Sequence, residues 1–570
     1  MSKTSSRKLS LFVTLFVLFA VSFTQVGLAA TILDEVRAEN GMVAAASPLA
    51  AQIGVDILKA GGNAIDAAVA TAFAIGVAEP NASGLGGEGF LVIYLPEADQ
   101  AVSIDYRSAA PAASVEDLVD QRMPNTSWNS VAVPGTVAGL SMALEKYGTM
   151  SLAEVMEPSI RLAEEGFPMS ETLVGVVESN YEKILANPAM TEIYLDDMLP
   201  PEPGFVLKNA DLANVMRIIA EQGPDAFYTG EIAQMIVDDV QANDGYMTME
   251  DLANYQAILR WPVRGNYRGH DIIGAGPPVG GATVIQALHI LESFDVASYG
   301  YPSTESIHLT AEAIRIAYRD NYEYFADPDF DYIPLYDLLS KDYARTRALE
   351  IDPEQMMHFE EILPGYFGAA QVAFTGTDGI PYESPSTTHI SVIDKDRNTV
   401  SLTQTISSFF GAGVMPEGTG IVLNNEMANF GAVGSGTNSL EAGKRMKTVI
   451  SPTIVLKDGQ PFLTIGTPGA GRIISTVTIL LSALIDHGMD LQEAIEAPRF
   501  FVRDYHNNLE FEPRFASDIV DELGAKGWGL VERGELDLYF GGAQGVLVDF
   551  ETGELVGGAD PRRDGAAIGY

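Results

Sequence analysis

Cysteine is absent from all 570 residues, which removes disulfides, Cys-ligated metals and thiol nucleophiles together. Basic residues are scarce: 34 Lys and Arg stand against 77 Asp and Glu, a formal charge of −43. A surface so short of cations argues against nucleic acid and anionic membranes as partners, because both are held by basic patches. An even acidic coat serves solubility, so the charge alone does not point to a cationic substrate. The seven histidines include no HExxH and no paired spacing, so no metal site is legible. No G-x-S-x-G occurs, which argues against an α/β-hydrolase elbow.

Long apolar runs are also missing, apart from Leu11 to Phe23. That run follows Lys3, Arg7 and Lys8 and precedes Gly27-Leu28-Ala29, the basic, apolar and small-residue layout of a secretory signal. It falls short of the roughly 20 residues that span a bilayer comfortably. Residues 1–30 are therefore expected to be a signal peptide, leaving an exported protein, periplasmic or secreted, with no membrane contact after its removal. An uncleaved anchor is the alternative.

What is present centres on Ser386-Thr387-Thr388-His389-Ile390-Ser391-Val392, the turn Asp394 to Asn398 and the return run Thr399 to Ser407. Alternation puts Val400, Leu402 and Ile406 on one face of the return strand and Ser401, Thr403, Thr405 and Ser407 on the other. If the two strands pair about Asp396, Thr405 lies near Thr387. Such a hydroxyl row is ordinarily the solvated side of an amphipathic strand.

Upstream, Met42 to Ala60 reads as a helix closed by Gly61-Gly62, and Asn63 as the N-cap of a helix Ala64 to Val77, apolar almost all round and so buried. A glycine-rich turn, Pro80 to Phe90, enters a strand Leu91 to Leu95. No Lys-Ser/Thr follows and the order is helix to strand, so a phosphate loop is discounted. Arg107 sits in an apolar, small-residue neighbourhood, either as a structural salt bridge or as a fork for a carboxylate. Helical runs and loops alternate to about Leu291, and helix returns from Thr304 to Tyr324. Asp352 to Glu383 is irregular, as a segment leading to a cleavage site should be. Strands Thr453 to Leu456 and Phe462 to Gly466 flank Asp458-Gly459. The loop Gly466 to Arg472 then opens a helix to Ile485, where free N–H groups could hold an anion.

The run Thr-Thr-His-Ile-Ser-Val-Ile-Asp-Lys-Asp from Thr387, the block Gly61 to Phe90, Val133 to Leu140, Gly466 to Arg472 and the ending Gly558 to Tyr570 resemble the gamma-glutamyltransferase family of N-terminal nucleophile hydrolases. The resemblance covers Gly41 to Tyr570. It implies a four-layer αββα sandwich with two mostly antiparallel sheets, shared by segments 31–386 and 387–570. It also implies a precursor that cuts itself between Ser386 and Thr387, leaving Thr387 as nucleophile. An α-amine with a pKa of about 7.7 to 8.0 can take the proton of its own hydroxyl.

By the same resemblance Thr405 orients that hydroxyl, Gly469 and Ala470 form the oxyanion hole, and Arg107 takes the α-carboxylate of the glutamyl group. The chain departs from the pattern around the ligand. Glu88 stands where glycine is common, and Thr448-Val449 replace two serines. Asn429 replaces an aspartate that pairs with the α-amine, Glu426 could supply that negative charge, and Ser407 stands where asparagine is common. Only 13 residues separate Phe430 from Lys444, so a covering loop should be short and the pocket open. The expected reaction moves a γ-glutamyl group from an amide such as glutathione to water or an amino acid, without a cofactor. The alternatives are an amide acylase of the same mechanism, such as a β-lactam side-chain acylase or a poly-γ-glutamate enzyme, and an uncleaved exported binding protein.

Overall fold

The computed structural model describes residues 35–114, 123–367, 386–434 and 436–570. The expected signal 1–30, the segment start at 31 and most of the run up to Ser386 lie outside those residues.

Among the described residues, fourteen strands build the two large sheets. The first segment supplies β1 (Val36–Ala38), β2 (Met42–Ala45), β3 (Glu88–Leu95), β4 (Gln100–Tyr106), β5 (Ile258–Arg260), β6 (Val263–Tyr267) and β7 (His270–Gly274). The second supplies β8 (Thr388–Ile393), β9 (Thr399–Thr405), β10 (Thr453–Lys457), β11 (Gln460–Gly466), β12 (Gln544–Val548), β13 (Leu555–Ala559) and β14 (Ala566–Gly569). One sheet runs β14-β2-β8-β9-β3-β4-β5 and the other β1-β13-β12-β11-β10-β7-β6, every pair antiparallel.

Helices cover both outer faces. On the first sheet, α1 (Pro48–Lys59) and α2 (Ala64–Ala78) share a core with Val43, Leu91, Ile93, Ile390, Val392, Val400 and Leu402, and α3 (Leu152–Glu165) joins it. On the second, α4 (Gly281–Leu291), α5 (Thr304–Tyr324) and α6 (Arg472–Ile485) pack over Ile273, Ile454, Leu463 and Ile465. This is the expected αββα sandwich. All 15 residues of α2 are buried, and Asn63 caps it through a reciprocal box with Asp66, as its composition predicts.

Three readings are corrected. Met42 to Ala60 is not one helix: Met42–Ala45 is a strand, paired on both sides, and the helix begins at Pro48. Four small apolar residues carry no period of their own, and a seat between β8 and β14 decides their conformation. The stretch before Leu291 contains strands as well as helices, β5 to β7 and the short pair Phe167–Pro168 and Val206–Leu207. The hydroxyl row of β9 is not solvated. Ser401 and Thr403 are buried between the sheets, where Ser401 Oγ donates to the Ile465 carbonyl (3.3 Å) and accepts the Thr453 N–H (2.9 Å), and Thr403 Oγ1 meets His389 Nδ1 at 2.8 Å. A polar seam thus joins the two sheets.

Candidate active site

The hairpin pairs Thr388 with Gln404 and Ser391 with Ser401. One step beyond that register, Thr387 Oγ1 and Thr405 Oγ1 hydrogen-bond at 3.0 Å. Thr387 Oγ1 is the donor of that bond, and Thr405 Oγ1 also accepts the Ser407 N–H at 2.8 Å. Ser386 Oγ donates to the Ser407 carbonyl. Thr387 has φ +91° and Ser407 φ +76°, and a β-branched residue in the left-handed region is strained.

A narrow cleft of about 40 Å³ opens on these hydroxyls. Arg107, Ser407, Glu426, Asn429, Thr448 and Ala470 all line it with Thr387 and Thr405. Gly469 is not among the lining residues and has φ +129°, while Ala470 has φ +48°, two residues before α6. Among the described residues neither N–H of this pair has a protein acceptor. Among the described residues of 431–443 none lines the cleft.

Arg107 is not an open fork. Its guanidinium is fully buried and paired with Glu88 through Nη1 and with Glu426 through Nη2, which also donates to the Met446 carbonyl at 3.1 Å. The second Glu88 oxygen accepts the Ser108 N–H at 2.7 Å and the Ser108 hydroxyl. Burial raises the Glu88 carboxyl above its usual range against the opposing pull of Arg107. Asn429 Nδ2 donates to Ser407 Oγ (2.9 Å) and to Glu426 Oε2 (3.2 Å), so the three predicted ligands form one network.

Three groups escaped sequence reasoning. Arg563 Nη1 donates to the Thr387 carbonyl at 2.8 Å and pairs with Glu79 at 2.9 Å, holding the Thr387 backbone. A larger cavity of about 580 Å³ lies beyond that pair and holds none of the predicted site residues. Lys447 and Arg503 line the cleft itself. A charge inside the apolar run Met446 to Ile450 was the available signal for Lys447. Nothing local marks Arg563, whose role depends on the last turn returning to β8.

The family profile for gamma-glutamyltranspeptidase matches residues 50–570. The chain belongs to the gamma-glutamyltranspeptidase family. It is 40% identical over 564 residues to the glutathione hydrolase proenzyme of Escherichia coli K12, covering 95% of this chain and 94% of that one. It is also 38% identical to the acylase ACY 1 proenzyme of Pseudomonas sp. SE83, covering 93% of each. The crystal structure of cephalosporin acylase from Bacillus halodurans superposes with a TM-score of 0.85 at 31% identity, covering 94% of this chain and 97% of that one. Family membership makes the chain an enzyme of the N-terminal nucleophile fold, and relatives of both substrate types lie within a few per cent of one another in identity.

Proposed function

We propose that the chain is an exported, self-processing γ-glutamyltransferase and glutathione hydrolase, periplasmic or secreted. The 3.0 Å contact between the Thr387 and Thr405 hydroxyls, at the head of a central hairpin and at the mouth of a cleft, carries the reading. In the precursor, Thr387 Oγ attacks the Ser386 carbonyl carbon and the Thr387 nitrogen departs with a proton, leaving an ester. The Thr387 amine is free from that point; water then cleaves the ester, which releases the Thr387 hydroxyl and the Ser386 carboxylate and yields segments 31–386 and 387–570.

That amine then takes the hydroxyl proton as Thr387 Oγ attacks a substrate amide, while the Gly469 and Ala470 N–H groups hold the oxyanion. Preorganised donors of this kind contribute roughly 3 to 4 kcal/mol each to the transition state. The amine leaving group takes the proton, and water or an amino acid accepts the acyl group from Thr387. No step calls for a cofactor.

Replacing Thr387 with Ala tests the reading: intact mass and a denaturing gel are expected to show a single uncut chain, and a fully processed variant would exclude a threonine nucleophile. The second reading, an amide acylase with a different acyl group, is favoured by the closure of Arg107 by Glu88 and Glu426. Turnover of a panel of γ-glutamyl and other amides separates the two.

A further inference from the structure

Besides Arg107, two cations line the cleft, Lys447 and Arg503. Lys447 is buried, 7% exposed, and lines the cleft with Thr387. Its Nζ donates to the Tyr322 carbonyl at 3.2 Å and lies 5.1 Å from the centre of the Tyr322 ring. No carboxylate among the described residues pairs with it. Asp504 and Glu323 act on it only through their fields, and burial pulls its pKa down to about 8. An ammonium removed from water without a counter-ion is costly unless an anion joins it.

Arg107, by contrast, faces two protein carboxylates. If Glu88 and Glu426 are both ionised the trio carries a net negative charge. If Glu88 keeps its proton, the remaining pair is neutral. In neither state does Arg107 offer a substrate carboxylate a net positive partner.

We propose that Lys447 is the carboxylate anchor of this cleft, in place of Arg107, and that the preferred substrates are amides whose acyl group ends in a carboxylate. The Glu426 carboxylate is then left to meet an amine on the same acyl group, with Asn429 holding it. The inference rests on the acyl-transfer reading of Thr387, and it concerns the acyl group that reading leaves open.

Four p-nitroanilides test it. The γ-glutamyl compound carries carboxylate and amine, glutaryl only the carboxylate, 4-aminobutanoyl only the amine, and butanoyl neither. In Lys447→Met, the kcat/KM ratios of γ-glutamyl to 4-aminobutanoyl and of glutaryl to butanoyl are expected to fall about tenfold to hundredfold, through KM, as loss of a charged contact implies. Lys447→Arg should retain part of both ratios. A loss shared equally by all four compounds, which a merely structural role gives, would overturn the proposal, and so would unchanged ratios. Wild-type turnover of glutaryl with Lys447-dependent selectivity, but none of γ-glutamyl, would keep the anchor and reject the γ-glutamyl reading. If none of the four is turned over, calorimetry of glutarate binding to the processed protein decides. Weaker binding to Lys447→Met supports the anchor, and equal or no binding to both proteins overturns it.

Discussion

Thr387 meets three constraints at once: its hydroxyl on Thr405, its carbonyl on Arg563 and a backbone with φ +91°. Strain of that kind is worth of order 1 to 3 kcal/mol, and breaking the bond to Ser386 relieves it, because an N-terminal residue has no φ to satisfy. Thr405→Ala should therefore slow both maturation and turnover, by about 10²- to 10⁴-fold for one positioned group. Thr403→Ala removes a contact to His389 instead and should lower the melting temperature with less effect on either rate. Stopped time courses of band conversion, together with steady-state kinetics, compare the two; equal, negligible effects would contradict the hairpin geometry.

The hairpin keeps its register through its turn. Asp394 accepts N–H groups of Asp396 and Asn398, both at 2.9 Å, and its other oxygen accepts Ala64 N–H at 2.9 Å, at the start of α2. One carboxylate thus ties the turn to the buried helix. Asp394→Ala strands those donors, at about 1 to 3 kcal/mol for a buried unsatisfied group, and should reduce both denaturation midpoint and cleavage rate.

His389 sits at the other end of the same element, in the seam with Thr403 and Ser391. Burial pulls its pKa down to about 3, from 6.5 when exposed. The unfolded chain then binds the proton that the folded chain refuses. The stabilising contribution of neutral His389 is complete above pH 6.5 and is lost as pH falls toward 3. Thermal midpoints measured from pH 7 to 4 should drop more steeply for wild type than for His389→Gln.

This hairpin is legible in the sequence, because strand alternation and a turn centred on Asp396 determine who faces whom. The capped helix α2 and the Asp458-Gly459 turn were legible for similar local reasons. Met42–Ala45 and the burial of Ser401 and Thr403 were not, since a strand's neighbours and the second sheet decide them from more than 50 residues away. The closure of Arg107 joins residues 88, 107 and 426, a meeting that no window of sequence contains.

At the scale of the molecule, the two segments are interleaved rather than docked. In the first sheet β8 and β9 lie between β2 and β3, and in the second β10 to β13 lie between β1 and β7. Cleavage at Ser386 therefore should leave a particle of unchanged native mass that separates only on denaturation. In a urea titration followed by segment-specific probes, both segments should unfold in one coincident transition. Two separate transitions would mean that each has a core of its own.

The same interleaving bears on how such a protein can be encoded. Split at Ser386–Thr387 into two reading frames, the first product would expose β2 and β3 with a two-strand gap between them, and the second would offer β8 and β9 without flanking neighbours, edges that invite aggregation. A single reading frame delivers the halves in equal number and ties them together at the high effective concentration of a tether. The covalent link is then needed only until the sheets close, and on the proposed reading Thr387 supplies the chemistry that removes it.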